Sequence, residues 1–276
     1  MAVRMTHKRM VLATSFVAGF MLGIGVLHLL PHAIATVPSA DIAVRWLLAG
    51  FLVMFLLERF FTFHHHETEG QAGDHHSAEP AELQHGLQGS GHGRELTWGG
   101  AAIGLTLHSL VNGAALTASI LAEADGENRG LAGLGVFLVI ALHKPFDAMT
   151  IGTLMAISNR PPALRHLVNV LFALSIPVGA AIFYVGVIQP AQPNSIILGC
   201  AVAFAAGTFL CIAMSDLLPE LRFHEHDRFT LSLALIVGLA LAWGVDRLES
   251  KGHDHGHGTT VIPHQLEHEK VSGSGK

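Results

Sequence analysis

Two short stretches of the chain each place an oxygen donor four residues after an imidazole: Leu107-His108-Ser109-Leu110-Val111-Asn112-Gly113-Ala114 and Leu142-His143-Lys144-Pro145-Phe146-Asp147-Ala148. On an α-helix, residues four apart share a face, one above the other. Two such helices facing each other therefore offer four donors to a single ion: His108, Asn112, His143 and Asp147. Two imidazoles, a carboxylate and an amide oxygen suit a borderline divalent cation better than magnesium or calcium, which take all-oxygen shells. Zn2+ fits this set best, with Fe2+, Mn2+, Co2+, Ni2+ and Cd2+ also compatible. No glycine loop followed by Lys cradles a phosphate, and no organic cofactor is expected.

The surroundings make the arrangement expensive. Both stretches lie in long apolar runs, where a central charge costs roughly 3 kcal/mol on insertion scales unless it is paired or hydrated. His143, Lys144 and Asp147 fall within five residues, and Pro145 removes a backbone donor and crowds the carbonyl of Ala141. Irregular backbone at that depth is tolerated where something polar fills the space.

The elements that must position these residues follow from composition. Half of the 276 residues are hydrophobic, only 13% are charged, and the mean hydropathy is +0.47. That balance cannot solvate an ordinary globular surface. Apolar runs of about 20 residues, each able to cross a hydrocarbon core roughly 30 Å thick, predict seven spans. They fall at about 10–31, 42–61, 97–121, 130–157, 167–189, 194–218 and 229–247. The expected fold is all-α, a polytopic transmembrane helical bundle in contact with the lipid bilayer. Its organisation reads as two helices over 1–63, a hydrophilic His-rich loop over 64–96 too polar to build a core, a five-helix transport core over 97–248 and a His-rich tail over 249–276. The formal charge of −5 is dispersed over loops and tails, so no nucleic-acid partner is expected. Cys200 and Cys211 sit in one apolar run and read as small core residues.

Basic residues in short loops resist translocation. An N-terminus on the cytoplasmic side leaves Arg4, Lys8, Arg9, Arg59, Arg94, Arg160, Arg165, Arg222 and Arg228 inside, and seven spans then put the C-terminus outside. The first and sixth spans also repeat one another. At an offset of 188 residues, Phe16, Ala18, Gly19, Leu22, Leu29, Leu30 and Pro31 meet Phe204, Ala206, Gly207, Leu210, Leu217, Leu218 and Pro219, while His28 meets Asp216 and His32 meets Glu220. Spans of opposite direction that share a register form an inverted repeat, and transporter repeats of this kind surround a site near the midplane.

These residues resemble the ZIP family of metal-ion transporters, which carry zinc, iron and related cations toward the cytoplasm. The resemblance rests on the Gly-rich first span ending His28-Leu29-Leu30-Pro31, the His-rich loop, the two paired motifs, and Ala206-Gly207-Thr208-Phe209-Leu210 leading to Asp216-Leu217-Leu218-Pro219-Glu220. It implies a central metal site on His108, Asn112, His143 and Asp147. Where the family often has an acidic residue this chain has Asn112, so a weaker or faster-exchanging ion is expected. Some members bind a second ion through Asn and Asp or Glu at the positions held here by Ser109 and Lys144; a fixed ammonium repels that ion, so one central ion is expected, with Lys144 standing in for the second charge. The family usually has eight helices and the first span here resembles its second. The surface this leaves is expected to be covered by lipid or by another protomer in a homodimer.

The resemblance implies alternating access, by elevator-like or rocking motion. His28 and His32 near the outer end, and Asp216 and Glu220 near the inner end, read either as a way in and out or as helix-end residues meeting water. Because imidazoles ligate only when neutral, uptake is expected to weaken as pH falls through roughly 6 to 7. An intramembrane metalloenzyme is not expected, since no His-Glu-x-x-His or comparable general-base pair is present. A metal exporter or a non-transporting metal sensor fits the same residues. The expected location is the plasma or inner membrane.

Overall fold

The computed structural model describes residues 7–61, 92–124, 129–188, 195–223 and 228–250. Among these, every regular element is helical: α1 (His7–Gly23), a π-helical turn (Ile24–Leu29), α2 (Leu30–Thr36), α3 (Ala40–Phe61), α4 (His92–Glu123), a 3-10 turn (Arg129–Leu131), α5 (Leu134–Ile157), α6 (Pro162–Ile188), α7 (Ser195–Phe223) and α8 (Arg228–Ser250). Among the described residues, seven stretches are long and apolar enough to cross a membrane, α1, the π-helical turn and α2 together forming the first.

Four boundaries differ from the sequence reading by five residues, one of them the start of α6 at Pro162 in place of 167. The first span runs on to Thr36, because Pro31 falls in the opening turn of α2, where a missing N–H costs nothing. α4 begins at His92, inside the stretch expected to be loop. α7 continues through Pro219 to Phe223. The remaining histidines of the 64–96 loop and those of the tail, His253, His255 and His257, lie outside the described residues.

Local chemistry explains the ends of α5 and α6. Gly133 precedes α5 at φ 74°, a left-handed conformation open to glycine. At the other end Asn159 adopts φ 54°, Arg160 N–H donates to Met155 O (2.9 Å) and Asn159 N–H to Ala156 O (3.0 Å). That is a Schellman closure, and Pro161 and Pro162 then open α6. Within the spans, Thr14, Thr106 and Ser109 donate their hydroxyls to carbonyls four residues back, which satisfies them inside an apolar medium.

Glycines set the packing. A Cβ on Gly19 would stand 2.2 Å from Leu235 O, and one on Gly238 would stand 2.1 Å from Phe16 O, so α1 and α8 touch backbone to backbone. Gly50 and Gly207 do the same for α3 and α7, with Phe204 O at 2.0 Å and Leu47 O at 1.9 Å. Gly113 and Gly179 do so for α4 and α6, each 2.1 Å from a carbonyl oxygen of the other helix. Small residues that admit such contact are what hold helices together where lipid removes the hydrophobic drive. The first two pairs exchange under the offset of 188, since Gly19 maps to Gly207 and Gly50 to Gly238. The repeat therefore extends from one helix to two. The first span and α7 are antiparallel, Gly25 lying against Ala206 and Val37 against Gly199, so the repeat is inverted.

The largest core links α1, α3, α4, α5, α7 and α8 around Phe20, Met21, Ile24 and Phe209. A second, smaller core of Ile151, Met155 and Phe172, with Trp98 and Leu105 against it, ties α4, α5 and α6 together. Cys200 and Cys211 are buried free thiols. The outward surface is apolar: Leu171, Leu174, Val178 and Ile182 of α6 and Leu48, Leu52, Phe55 and Leu56 of α3 are exposed, as lipid-facing side chains are.

Candidate metal centre

α4 and α5 meet near their midpoints, and there the two paired motifs face each other. His108, Asn112 and His143 are buried, and the Asp147 side chain is 17% exposed. A ring nitrogen of each imidazole and an oxygen of the Asp147 carboxylate lie within 4.8 Å of one another. Asp147 Oδ2 is 3.9 Å from His108 Nε2 and 4.0 Å from His143 Nε2. Donors in a tetrahedral zinc shell stand roughly 3.3 Å apart, so a shift of about half an ångström in the Asp147 side chain closes the difference.

The tautomers favour ligation. His143 Nδ1–H donates to Val139 O at 2.6 Å, which leaves the Nε2 lone pair facing the cluster. The Asn112 amide donates from Nδ2 to His108 Nε2 (3.0 Å) and to His143 Nε2 (3.2 Å). It thus occupies the position where both lone pairs converge, and rotating the amide by 180° turns Oδ1 to the same point. Asn112 Oδ1, Asp147 Oδ2 and His108 Nδ1 are buried without a hydrogen-bond partner among the described residues. Buried polar atoms of this kind need an explanation, and a bound cation supplies one for the two oxygens.

Ser109 and Lys144 stand beside this cluster. The Lys144 ammonium donates to Ser109 Oγ and lies 3.4 Å from the centroid of the Phe172 ring of α6. Pro145 sits inside α5, which continues through it.

His28 lies in the π-helical turn, a distortion frequent at functional sites, and contacts carboxylates that the sequence reading had not singled out: Glu123 of α4 and Asp246 and Glu249 of α8. His32 is half-buried, its ring 6.2 Å from that of His28 and its Nε2 3.3 Å from Ala122 O. Asp216 and Glu220 fall on α7, but their side chains lie outside the described residues. Near that end the structure instead presents Glu58 of α3, which accepts a hydrogen bond from Ser215 Oγ at 2.6 Å. A lone acidic residue at the end of an apolar run was the available signal for Glu58, Glu123 and Glu249; their partners come from helices far away in sequence.

A family model described as ZIP zinc transporter matches residues 3–98 and 99–246. Among similar proteins, zinc transporter ZIP9 of Micropogonias undulatus is 28% identical over 222 residues, covering 76% of this chain and 64% of its own length. Zinc transporter ZIP9 of Macaca fascicularis is 29% identical over 167 residues, covering 55% of this chain and 67% of its own. That of Xenopus tropicalis is 28% identical over 223 residues, covering 76% and 65%. The chain thus spans a little under two thirds of the length of the first and third of these relatives.

Proposed function

The chain belongs to the ZIP zinc transporter family, an integral multi-pass membrane family, and from that premise we propose that it carries a divalent transition-metal cation, zinc foremost, across the bilayer toward the cytoplasm. The observation that supports this most is the meeting of His108, Asn112, His143 and Asp147 at the buried contact of α4 and α5. The ion is the substrate, held by the two Nε2 lone pairs, the Asp147 carboxylate and the rotated Asn112 amide. An amide in place of a second carboxylate leaves the site with one negative charge, which favours release over retention.

One central ion is the reading the neighbours support. The Lys144 ammonium, tethered to Ser109 and to the face of Phe172, stands where a second dication would have to bind and repels it. The two packing units, α4–α6 around their own small core and the glycine-paired α1, α3, α7 and α8, support a reading of alternating access. Displacement of the unit that carries the ion against its partner exposes the site to each side in turn. His28 and His32 then line the outer approach, and Asp216 and Glu220 the inner one, with the N-terminus cytoplasmic and the C-terminus outside. The chain acts as a carrier and not as an enzyme.

Liposomes holding the purified protein and a zinc-sensitive dye test this. Flux down the metal gradient is expected without nucleotide, and acidification is expected to lower it, because protons compete for the imidazole lone pairs that ligate the metal. A flux that climbed steadily on acidification would contradict the ligand set. In cells, metal accumulation on expression supports uptake, whereas depletion marks an exporter and no change a sensor.

A further inference from the structure

Roughly 16 Å beyond Asn112 along α4, at about 1.5 Å per residue, Glu123 closes the helix within a second cluster. His28 is its centre. Nε2 lies 3.1 Å from Glu123 Oε1 and 3.4 Å from Glu249 Oε2, and Nδ1 lies 3.1 Å from Asp246 Oδ1. The side chains of His28 and Glu249 are 5% and 3% exposed.

Each glutamate is anchored by one oxygen and presents the other. Glu123 Oε2 accepts from Gly133 N–H (2.8 Å) and Glu249 Oε1 from Gly135 N–H (3.1 Å), so both carboxylates cap the amino end of α5. Gly135 has no side chain to block this approach: a Cβ there would stand 3.2 Å from Glu249 Oε2. Ser119 Oγ further fixes Glu123 Oε1 at 2.6 Å. Capping accounts for one oxygen of each carboxylate. It does not account for the others, which turn to the same imidazole nitrogen; beyond that nitrogen and Ser119 on Glu123 Oε1, no side-chain or backbone donor among the described residues bonds them, and Glu249 Oε2 is buried.

Charge and proton count sharpen the point. A neutral imidazole carries one N–H. With carboxylates against both nitrogens, either tautomer therefore leaves a lone pair facing a carboxylate oxygen, a repulsive contact unless a cation stands between them. Even an imidazolium leaves the three carboxylates two charges in excess. Asp246 on Nδ1 and two carboxylate oxygens beside Nε2 form the carboxylate–histidine–metal arrangement, in which the distal carboxylate holds the ring and the other nitrogen ligates.

We propose that His28, Glu123 and Glu249 form a second divalent-cation site at the outer end of the bundle, with Asp246 orienting His28. Its donor set, one nitrogen and two carboxylates, is harder than the central one and takes first-row dications such as Mn2+, Fe2+ or Zn2+. The proposal places this site on the approach to the central one and rests to that extent on the transport reading; cation binding itself does not.

Glu249→Cys in the full chain reads the site directly, since a thiolate among these donors binds Cd2+ with an ultraviolet charge-transfer absorption. That band is expected to appear above the background of the parent, which already holds Cys200 and Cys211. Adding His28→Ala is expected to raise the half-saturating Cd2+ at least about tenfold, whereas adding His143→Ala leaves the band in place. A folded Glu249→Cys protein without the band, or a band indifferent to His28→Ala, overturns the proposal. Glu249→Gln supplies an arm that needs no thiol: the half-saturating Zn2+ for liposome flux is expected to rise at least about tenfold. A loss confined to the maximal rate would mark the cluster as a structural clasp and overturn the proposal. If the Glu249→Cys protein shows the His28-dependent Cd2+ band yet the parent conducts no metal, the transport reading fails while this one stands.

Discussion

Replacing His143 with alanine is expected to reduce metal flux at least about a hundredfold while leaving the protein folded. His143 contributes the lone pair of Nε2, aimed by the Nδ1–H bond to Val139 O at 2.6 Å. Without it, the site retains one imidazole, one carboxylate and an amide oxygen, a set that water competes with far better than it does with two imidazoles. The substitution also removes the acceptor of one Asn112 hydrogen bond, so the amide loses part of what positions it. Because α5 is held by its own small core around Ile151 and Met155, the helix itself is not expected to melt. Flux measured in proteoliposomes, alongside Zn2+ affinity by competition with a chelating dye, checks this. A variant that conducted within twofold of the parent would remove His143 from the site.

The second large effect is on assembly. Gly207→Ala is expected to destabilise the bundle by about 3 kcal/mol or more, enough to deplete folded protein in detergent. The added Cβ would lie 1.9 Å from Leu47 O and 2.8 Å from Phe51 N, both backbone atoms that cannot rotate aside. α3 and α7 would have to separate by an ångström or more along their contact, forfeiting dispersion over the whole seam. The inverted repeat makes a matching demand. Gly238→Ala, whose Cβ would meet Phe16 O at 2.1 Å, should behave alike, whereas Gly99→Ala, with nothing within 4 Å, should be neutral. Thermal unfolding and the monodisperse fraction after extraction check all three. Equal stability of the Gly207 and Gly99 variants would show that the helices are not packed through glycine.

Much of this was legible in the residues. Apolar runs long enough to cross a membrane give the number of spans, and the i, i+4 spacing of His108 with Asn112 and of His143 with Asp147 puts four donors on two faces. The register shared by Gly19 and Gly207 shows the repeat. What could not be read is what depends on how helices far apart in sequence pack. Nothing local distinguishes Gly50 and Gly238 from other glycines; their role appears when each is found against the backbone of a partner helix. Glu123 falls just past the span expected at 97–121 and Glu249 in the expected tail, and nothing local singles out a partner for either. Their convergence on His28 needs α1, α4 and α8 to run parallel and α5 to begin between them. Pro31 misled for a simpler reason, since proline can end a helix or open one, and the π-helical turn before it decided the outcome.

Crystals of the full chain soaked in Zn2+, with anomalous data collected at the zinc edge, test most directly whether His108, Asn112, His143 and Asp147 enclose one metal ion. A strong peak about 2.0–2.2 Å from His108 Nε2, His143 Nε2 and an Asp147 carboxylate oxygen is the predicted result. A well-ordered map with peaks elsewhere in the chain but none among those atoms would contradict it.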